Sequence, residues 1–382
     1  MHLAVYCDYS YRIQDGRLYA ELPFGLFLEQ MAHDCDRLTL TGRFDPTPGR
    51  FPYELSGVGF VGLPHYASGV DPRALARSMP GAVARYWRML SDVDVAWVLG
   101  PTPVALLFAV LTLLRGRRLA LGVRQDLPRL FAARYPDRPL LRWGAGILEG
   151  AFRLLARRCP VVVVGPDLAR RYRRGRAVHN LVVSVLREDE IMPAAADGRC
   201  YDAAELRILS VGRLDPEKNP LLLADILAGA VRRDPRWRMD VCGEGPLAEA
   251  LERRFYELGV GDRATLHGLV PVDGGLLDLY RDSHALLHVS LTEGVPQVIL
   301  EAFALRLPVV GTAVGGVPDL VRGAGLLVSP SDAGAAVDAL EQLAGDAELR
   351  ARLVAAGVQR ARTHSLEAES ARVVSFLAES MR

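Results

Sequence analysis

Ser210–Pro220 reads SVGRLDPEKNP, and this stretch decides the fold class. It overlaps the end of a short apolar run, Arg207–Val211, and leads into a longer amphipathic stretch. A strand passing through a tight turn into a helix is the repeating unit of parallel sheets. The backbone N–H groups at such a helix start favour a bound anion. Gly212 permits the tight turn, and Arg213 and Lys218 add two cations near the same point. Each charge-assisted bond from such a cation to a phosphate oxygen contributes about 1.5–3 kcal/mol. Lys218 is the only lysine in the chain, which favours a ligand role over a solvated loop with incidental charges.

The same alternation extends in both directions. Towards the C-terminus, Arg238–Cys242, Ala264–His267, Ala285–Val289, Pro308–Gly311 and Leu326–Val328 read as strands separated by helical stretches. Towards the N-terminus, the strand candidates are Leu3–Cys7, Leu38–Thr41, Gly57–Leu63, Val93–Leu99, Leu119–Val123 and Val161–Val164. Between them, Leu18–His33, Ala74–Leu90 and Leu140–Arg157 place apolar residues at helical spacing. The pattern predicts an α/β protein of two Rossmann-like domains. The charged, Pro- and Gly-containing stretch from about Leu186 to Leu206 has no clear period and suits a linker. The expected division is residues 1–190, a linker at 191–205, a second domain at 206–365 and one more helix in 366–382.

Composition narrows the class. With 382 residues, half of them hydrophobic and 24% charged, the chain suits two soluble globular domains. Its five cysteines are scattered and form no C-x-x-C pair, which argues against a disulfide framework or a zinc site and for a reducing cytoplasm. No signal peptide is expected at the N-terminus, and the longest apolar run, Val104–Leu114, is too short to span a bilayer. The near-zero net charge hides an asymmetry. Residues 1–200 carry 27 arginines against 19 acids, and residues 201–382 carry 19 basic against 26 acidic residues.

Two further constellations follow the first. Ser290–Ala304 reads SLTEGVPQVILEAFA, with Glu293 and Glu301 flanking Gly294 and Pro296. Pro296 suits the first turn of a helix, so Gly294 and Val295 would present free N–H groups at its start. Two carboxylates with amides between them suit sugar hydroxyls and a phosphate together, although acid pairs are common and a helical glutamate is ordinarily solvated. Leu307–Val321, LPVVGTAVGGVPDLV, is a buried strand, a Gly315–Gly316 turn and a short helix. Glycines there allow a ligand close to the backbone. All three stretches fall at C-terminal strand ends, where open parallel sheets bind ligands.

Residues 206–330 resemble the donor domain of retaining glycosyltransferases of family 4, which have the two-domain GT-B fold with parallel sheets facing a central cleft. The resemblance rests on VGRLDPEKNP, DVCGEGP (Asp240–Pro246), LHGLVP (Leu266–Pro271), SLTEGVPQVILEAFA and PVVGTAVGGVPDLV. It implies that Arg213 and Lys218, with Gly212 at their turn, hold the donor diphosphate. Glu301 would bind the ribose, Glu293 the donor sugar, Gly268 and Leu269 the base, and the Gly294 and Val295 amides a phosphate or sugar. It further implies a nucleotide-sugar co-substrate, with UDP the commonest, a hydroxyl acceptor, no metal or other cofactor, and no nucleic-acid partner. Arg213, Lys218 and Glu293 would then carry catalysis. The last helix, Leu366–Met381, resembles the element that crosses back onto the first domain.

The N-terminal half departs from the family. Its loop after the first strand is expected between Asp8 and Arg17 and holds one glycine, Gly16. Where the family commonly has a histidine after the fifth strand, VRQDLP places Gln125, followed by Asp126. Asp126 is therefore the acceptor-side candidate for catalysis, with helix capping the alternative. His267 and His288 lie in strands and read as structural. Other activities compatible with the pattern are transfer to a small natural product, sugar-nucleotide epimerisation, and a non-catalytic partner subunit that binds nucleotide sugar. Residues 117–176 hold fifteen arginines against four acids, interleaved with Leu140, Leu141, Trp143, Ile147, Phe152 and Leu155. That pattern fits an anionic membrane surface and a lipid-linked or envelope-glycan acceptor, with a peripheral enzyme on the inner face. The alternative is a core helix with a solvated face.

Overall fold

The structure, a computed structural model, describes residues 1–46, 51–65, 72–134, 137–184, 186–193, 199–271 and 274–381. It divides into two units, Met1–Val185 with Leu366–Arg382, and Leu186–Ser365.

The first unit contains β1 (His2–Gln14), β2 (Arg17–Ala20), β3 (Arg37–Phe44), β4 (Tyr53–Leu55), β5 (Gly59–Leu63), β6 (Val95–Gly100), β7 (Arg118–Val123), β8 (Val161–Val164) and β9 (Val178–Leu181). Seven are parallel, in the order β5-β3-β1-β6-β7-β8-β9. Both faces of the sheet are buried. Leu3, Val5, Val95 and Trp97 pack on one side, and Ala4, Tyr6, Ala96 and Val98 on the other. A strand buried on both faces loses its alternation and reads as a continuous apolar run, which is why these strands are visible in the sequence.

Two expectations in this unit are corrected. The segment from Asp8 to Arg17 is strand rather than loop, since β1 continues to Gln14 and turns into β2, with Tyr11 opposite Ala20 and Gln14 opposite Arg17. Asp15 and Gly16 make the turn with φ of 50° and 76°, the mirror-image geometry that matches strand twist. Consequently Leu18–His33 is not one helix: β2 occupies its start, and the helix covers only Phe24–His33. The C-terminal helix, Leu366–Ser380, belongs to this unit, where Leu366, Val373, Val374 and Leu377 enter the same core as Phe27 and Met31. Ser370 Oγ donates to Asp34 at 3.2 Å beside them.

The second unit is a six-stranded parallel sheet of β10 (Leu206–Val211), β11 (Trp237–Cys242), β12 (Ala264–Gly268), β13 (Ala285–His288), β14 (Val309–Thr312) and β15 (Leu326–Val328). Its order is β12-β11-β10-β13-β14-β15. Sequence-adjacent strands run outward from β10 in one direction and from β13 in the other, so the topology reverses between these two. The crevice beyond their carboxyl ends is where such sheets bind ligands.

The stretch expected as a linker, 191–205, packs on this second unit, although residues 194–198 lie outside the described residues. Tyr201 is buried in its core, and its hydroxyl donates to the His284 carbonyl at 2.6 Å. Arg199 donates to the carbonyls of Tyr280, Leu305 and Arg306 at 2.7–3.2 Å. Polar composition misleads here because one arginine satisfies several backbone acceptors at once.

Candidate active site

At the end of β10 the chain turns at Gly212 and makes a single helical turn, Pro216–Lys218. Asn219, in the left-handed region at φ 52°, then redirects it into the helix Leu221–Arg233. That inserted turn corrects the expectation that the helix start itself presents free amides. The Leu222 and Leu223 N–H groups donate to the Asn219 and Pro220 carbonyls at 3.2 and 3.0 Å. On this side of the crevice the cations are Lys218 and Arg213. Lys218 projects from the turn, while Arg213 is largely exposed and turned onto Asp215 and Glu217, the latter at 2.8 Å.

Opposite, the loop after β13 carries Glu293. It is fastened at three points. The Leu291 N–H donates to the Glu217 carbonyl at 2.9 Å, and the buried Thr312 hydroxyl donates to the Ser290 carbonyl at 2.7 Å. Gly315, at φ 52°, passes so close that a Cβ there would lie 1.9 Å from the Glu293 carbonyl oxygen. Gly315→Ala must therefore displace the glutamate. We expect it to lower both stability and turnover, by more than the roughly 1 kcal/mol of an alanine at positive φ alone. Gly323→Ala, also at positive φ but facing open space, is the control. Equal denaturant midpoints for the two variants would show that the Gly315 contact is unimportant.

Glu293 is the centre of the site. Its Oε1 lies 2.5 Å from Lys218 Nζ, 2.8 Å from Ser290 Oγ and 3.0 Å from His288 Nε2. Burial pushes its pKa up, but the close approach of His288 and the charge of Lys218 outweigh this and hold it at about 2. It is an anion at any ordinary pH. Its second oxygen, Oε2, has no protein partner among the described residues, and neither do the amides of Gly294 and Val295. The helix behind this loop is Gln297–Ala304, with Pro296 at its N-cap rather than in its first turn.

These groups surround one cavity of about 300 Å³, lined among others by Gly212, Arg213, Lys218, His288, Ser290, Glu293 and Val295. Five of the expected donor residues thus meet there, with Gly294 in the same loop. Three do not line it. Gly268 ends β12, its carbonyl accepting from Gly243 N–H at 2.7 Å, and Leu269 beyond it is exposed. Glu301 sits within its helix, where Tyr280 OH donates to its Oε2 at 2.7 Å. Burial raises the Glu301 pKa, and the Tyr280 hydrogen bond opposes that shift.

The acceptor-side candidates fare differently. Gly16 is the hairpin tip, and Gln125 is exposed in the loop after β7. Asp126 caps the helix Leu127–Arg134, its Oδ1 accepting from Arg129 N–H at 3.1 Å, and its Oδ2 accepts from Arg171 at 2.7 Å. The capping alternative is the one the structure displays. Sequence reasoning missed His288, Ser290 and Tyr280. His288 read as a structural strand residue, yet it lies at the last position of β13, the end that faces the crevice. His267, by contrast, pairs with Asp240 at 2.7 Å and is structural as expected.

Residues 202–360 match the family described as Glycosyl transferases group 1. The matched residues lie within the second unit. D-inositol 3-phosphate glycosyltransferase of Corynebacterium efficiens is 34% identical over 178 residues, 44% of this chain and 42% of that protein. Alpha-D-kanosaminyltransferase of Streptomyces kanamyceticus is 28% identical over 233 residues, covering 56% and 57%. The match spans about two-fifths of the length of the first of these relatives. Solved structures cover the remainder. Sucrose-phosphate synthase from Thermosynechococcus elongatus superposes with a TM-score of 0.74 at 18% identity, over 99% of this chain and 98% of that one. Anabaena HepE, solved in complex with UDP and glucose, gives 0.71 at 17% identity, over 99% and 100%. The chain has the GT-B fold.

Proposed function

We propose that the chain is a retaining glycosyltransferase that moves a sugar from a UDP-sugar to a hydroxyl acceptor without a metal ion. One observation carries this. The only lysine of the chain meets a charged carboxylate in a single cavity at the topological switch point, beside a loop whose Gly294 and Val295 amides are unpartnered among the described residues. That combination matches the parts of a sugar diphosphate: cations and amides for the phosphates, and Glu293 Oε2 for the sugar hydroxyls. UDP is favoured by the resemblance of the sequence and by the complex known for Anabaena HepE.

In the reaction, the bond between the anomeric carbon and the diphosphate oxygen breaks while the acceptor oxygen bonds to that carbon from the same face. The acceptor's proton passes to the departing phosphate. Arg213 and Lys218 stabilise the charge that develops on that leaving group, and preorganised charge of this kind is the main catalytic term. Arg213 must first exchange Asp215 and Glu217 for phosphate. Oε1 of Glu293 accepts from Lys218 and Ser290, with His288 Nε2 3.0 Å away, so the orientation of Oε2 is fixed before the sugar arrives. Our reading of the acceptor is a lipid-linked or envelope glycan.

A panel of nucleotide sugars, each incubated with the protein in EDTA, tests the proposal. We expect slow hydrolysis of one UDP-sugar with retention at the anomeric carbon, accelerated by the right acceptor. A strict requirement for a divalent ion, or an inverted product by NMR, would contradict it. Epimerised donor in the absence of any acceptor would point to an epimerase of the same fold.

A further inference from the structure

The helix Pro139–Leu155 in the first unit buries Ala145, Glu149 and Phe152. Its large apolar residues point the other way: Leu140 is 81% exposed, Trp143 71%, Ile147 51% and Leu154 61%. At the helical turn angle these four fall in an arc of roughly 60° opposite the buried side. The sequence places Phe152 in the membrane-facing set, but the structure puts it in the core and brings Leu154 into the stripe. The phase of the helix is fixed by Glu149, buried and met by Arg171 at 3.0 Å.

The stripe ends in a cavity of about 360 Å³, where Gly150 and Leu154 are joined by Arg153, Arg157, Arg171 and Arg174. An adjoining cavity of about 490 Å³ adds Arg170 and Arg173. Among the described residues, Arg157, Arg173 and Arg174 have no carboxylate partner. An apolar stripe by itself fits many occupants, but one that runs into unpaired arginines fits an apolar phase with an anionic surface. No helix among the described residues is long and apolar enough to cross a membrane.

We propose that this helix lies flat in the interface of a membrane containing anionic phospholipid. Leu140, Trp143, Ile147 and Leu154 enter the acyl boundary, and the arginine-lined cavity receives a lipid phosphate. This stands on different residues from the transfer site and does not depend on it.

The test uses the full chain with vesicles of phosphatidylcholine, alone or mixed with phosphatidylglycerol. Binding should need the anionic lipid and weaken with salt. Reversing Arg157, Arg173 and Arg174 to Glu together should reduce it by at least about 100-fold, since each basic residue near such a surface contributes about fivefold. Trp143→Ser with Ile147→Ser should reduce it at least about tenfold. Circular dichroism and melting temperature, unchanged in these variants, verify that the first unit folds. In the wild type, brominated phosphatidylglycerol should quench tryptophan fluorescence, and Trp143→Phe should abolish that quenching. Equal binding to both vesicle types, no binding, or no quenching would overturn the proposal. So would a dimer in sedimentation that Trp143→Ser dissociates, which would assign the stripe to a second copy.

Discussion

Glu293→Gln should lower transfer by roughly 10²–10³-fold while leaving affinity for bare UDP close to wild type. The substitution keeps the shape of the side chain but removes the charge on Oε2, the oxygen without a protein partner. The sugar hydroxyls then lose an anionic acceptor, whereas the diphosphate loses nothing. Lys218 is in fact released from its closest carboxylate and becomes freer to bind phosphate. Glu301→Ala should behave in the opposite way. Its Oε1 has no protein partner among the described residues and is the group proposed to meet the ribose, so UDP affinity should fall about tenfold. Calorimetric titration of UDP into both variants separates the two roles. Matching titrations would refute the division between them.

Lys218→Ala should weaken UDP binding at least tenfold, the loss expected when a charge-assisted bond to phosphate is removed. It should also change the acid stability of the protein. With its pKa held at about 2 against an ordinary 4.5, Glu293 contributes stability that is complete above the unfolded value and lost as pH falls through the folded one. Without Lys218 the folded value rises towards 4.5, so this contribution shrinks and its loss is complete at higher pH. Melting temperatures measured from pH 3 to pH 7 should therefore fall more for the variant at neutral pH than near pH 3. Parallel curves, together with unchanged UDP affinity, would remove Lys218 from the site.

The donor half was legible because its strands are short apolar runs with the chemistry placed just beyond their ends. Arg213, Lys218 and Glu293 could each be placed at a strand end from local order alone. His288 could not, because its importance depends on the loop after β13 folding back over the strand. Tyr280 is 21 residues from Glu301, and their pairing arises only from tertiary packing. In the first half, the alternation along Ser10–Gln14 and Arg17–Ala20 is short, and the helical spacing downstream hid the hairpin. The phase of Pro139–Leu155 was ambiguous for a different reason: it is set by a buried glutamate, which composition would assign to the solvent side.

The claim at the centre of this account is that one cavity, formed by the turn after β10 and the loop after β13, receives the diphosphate of the donor. A crystal structure of the chain with UDP, grown in EDTA, tests it most directly. We predict the diphosphate against Lys218 and the Gly294 and Val295 amides, with Arg213 released from Asp215 and Glu217 onto a phosphate oxygen. UDP bound elsewhere on the chain, or held here with Lys218 still closed on Glu293 and no phosphate contact, would contradict it.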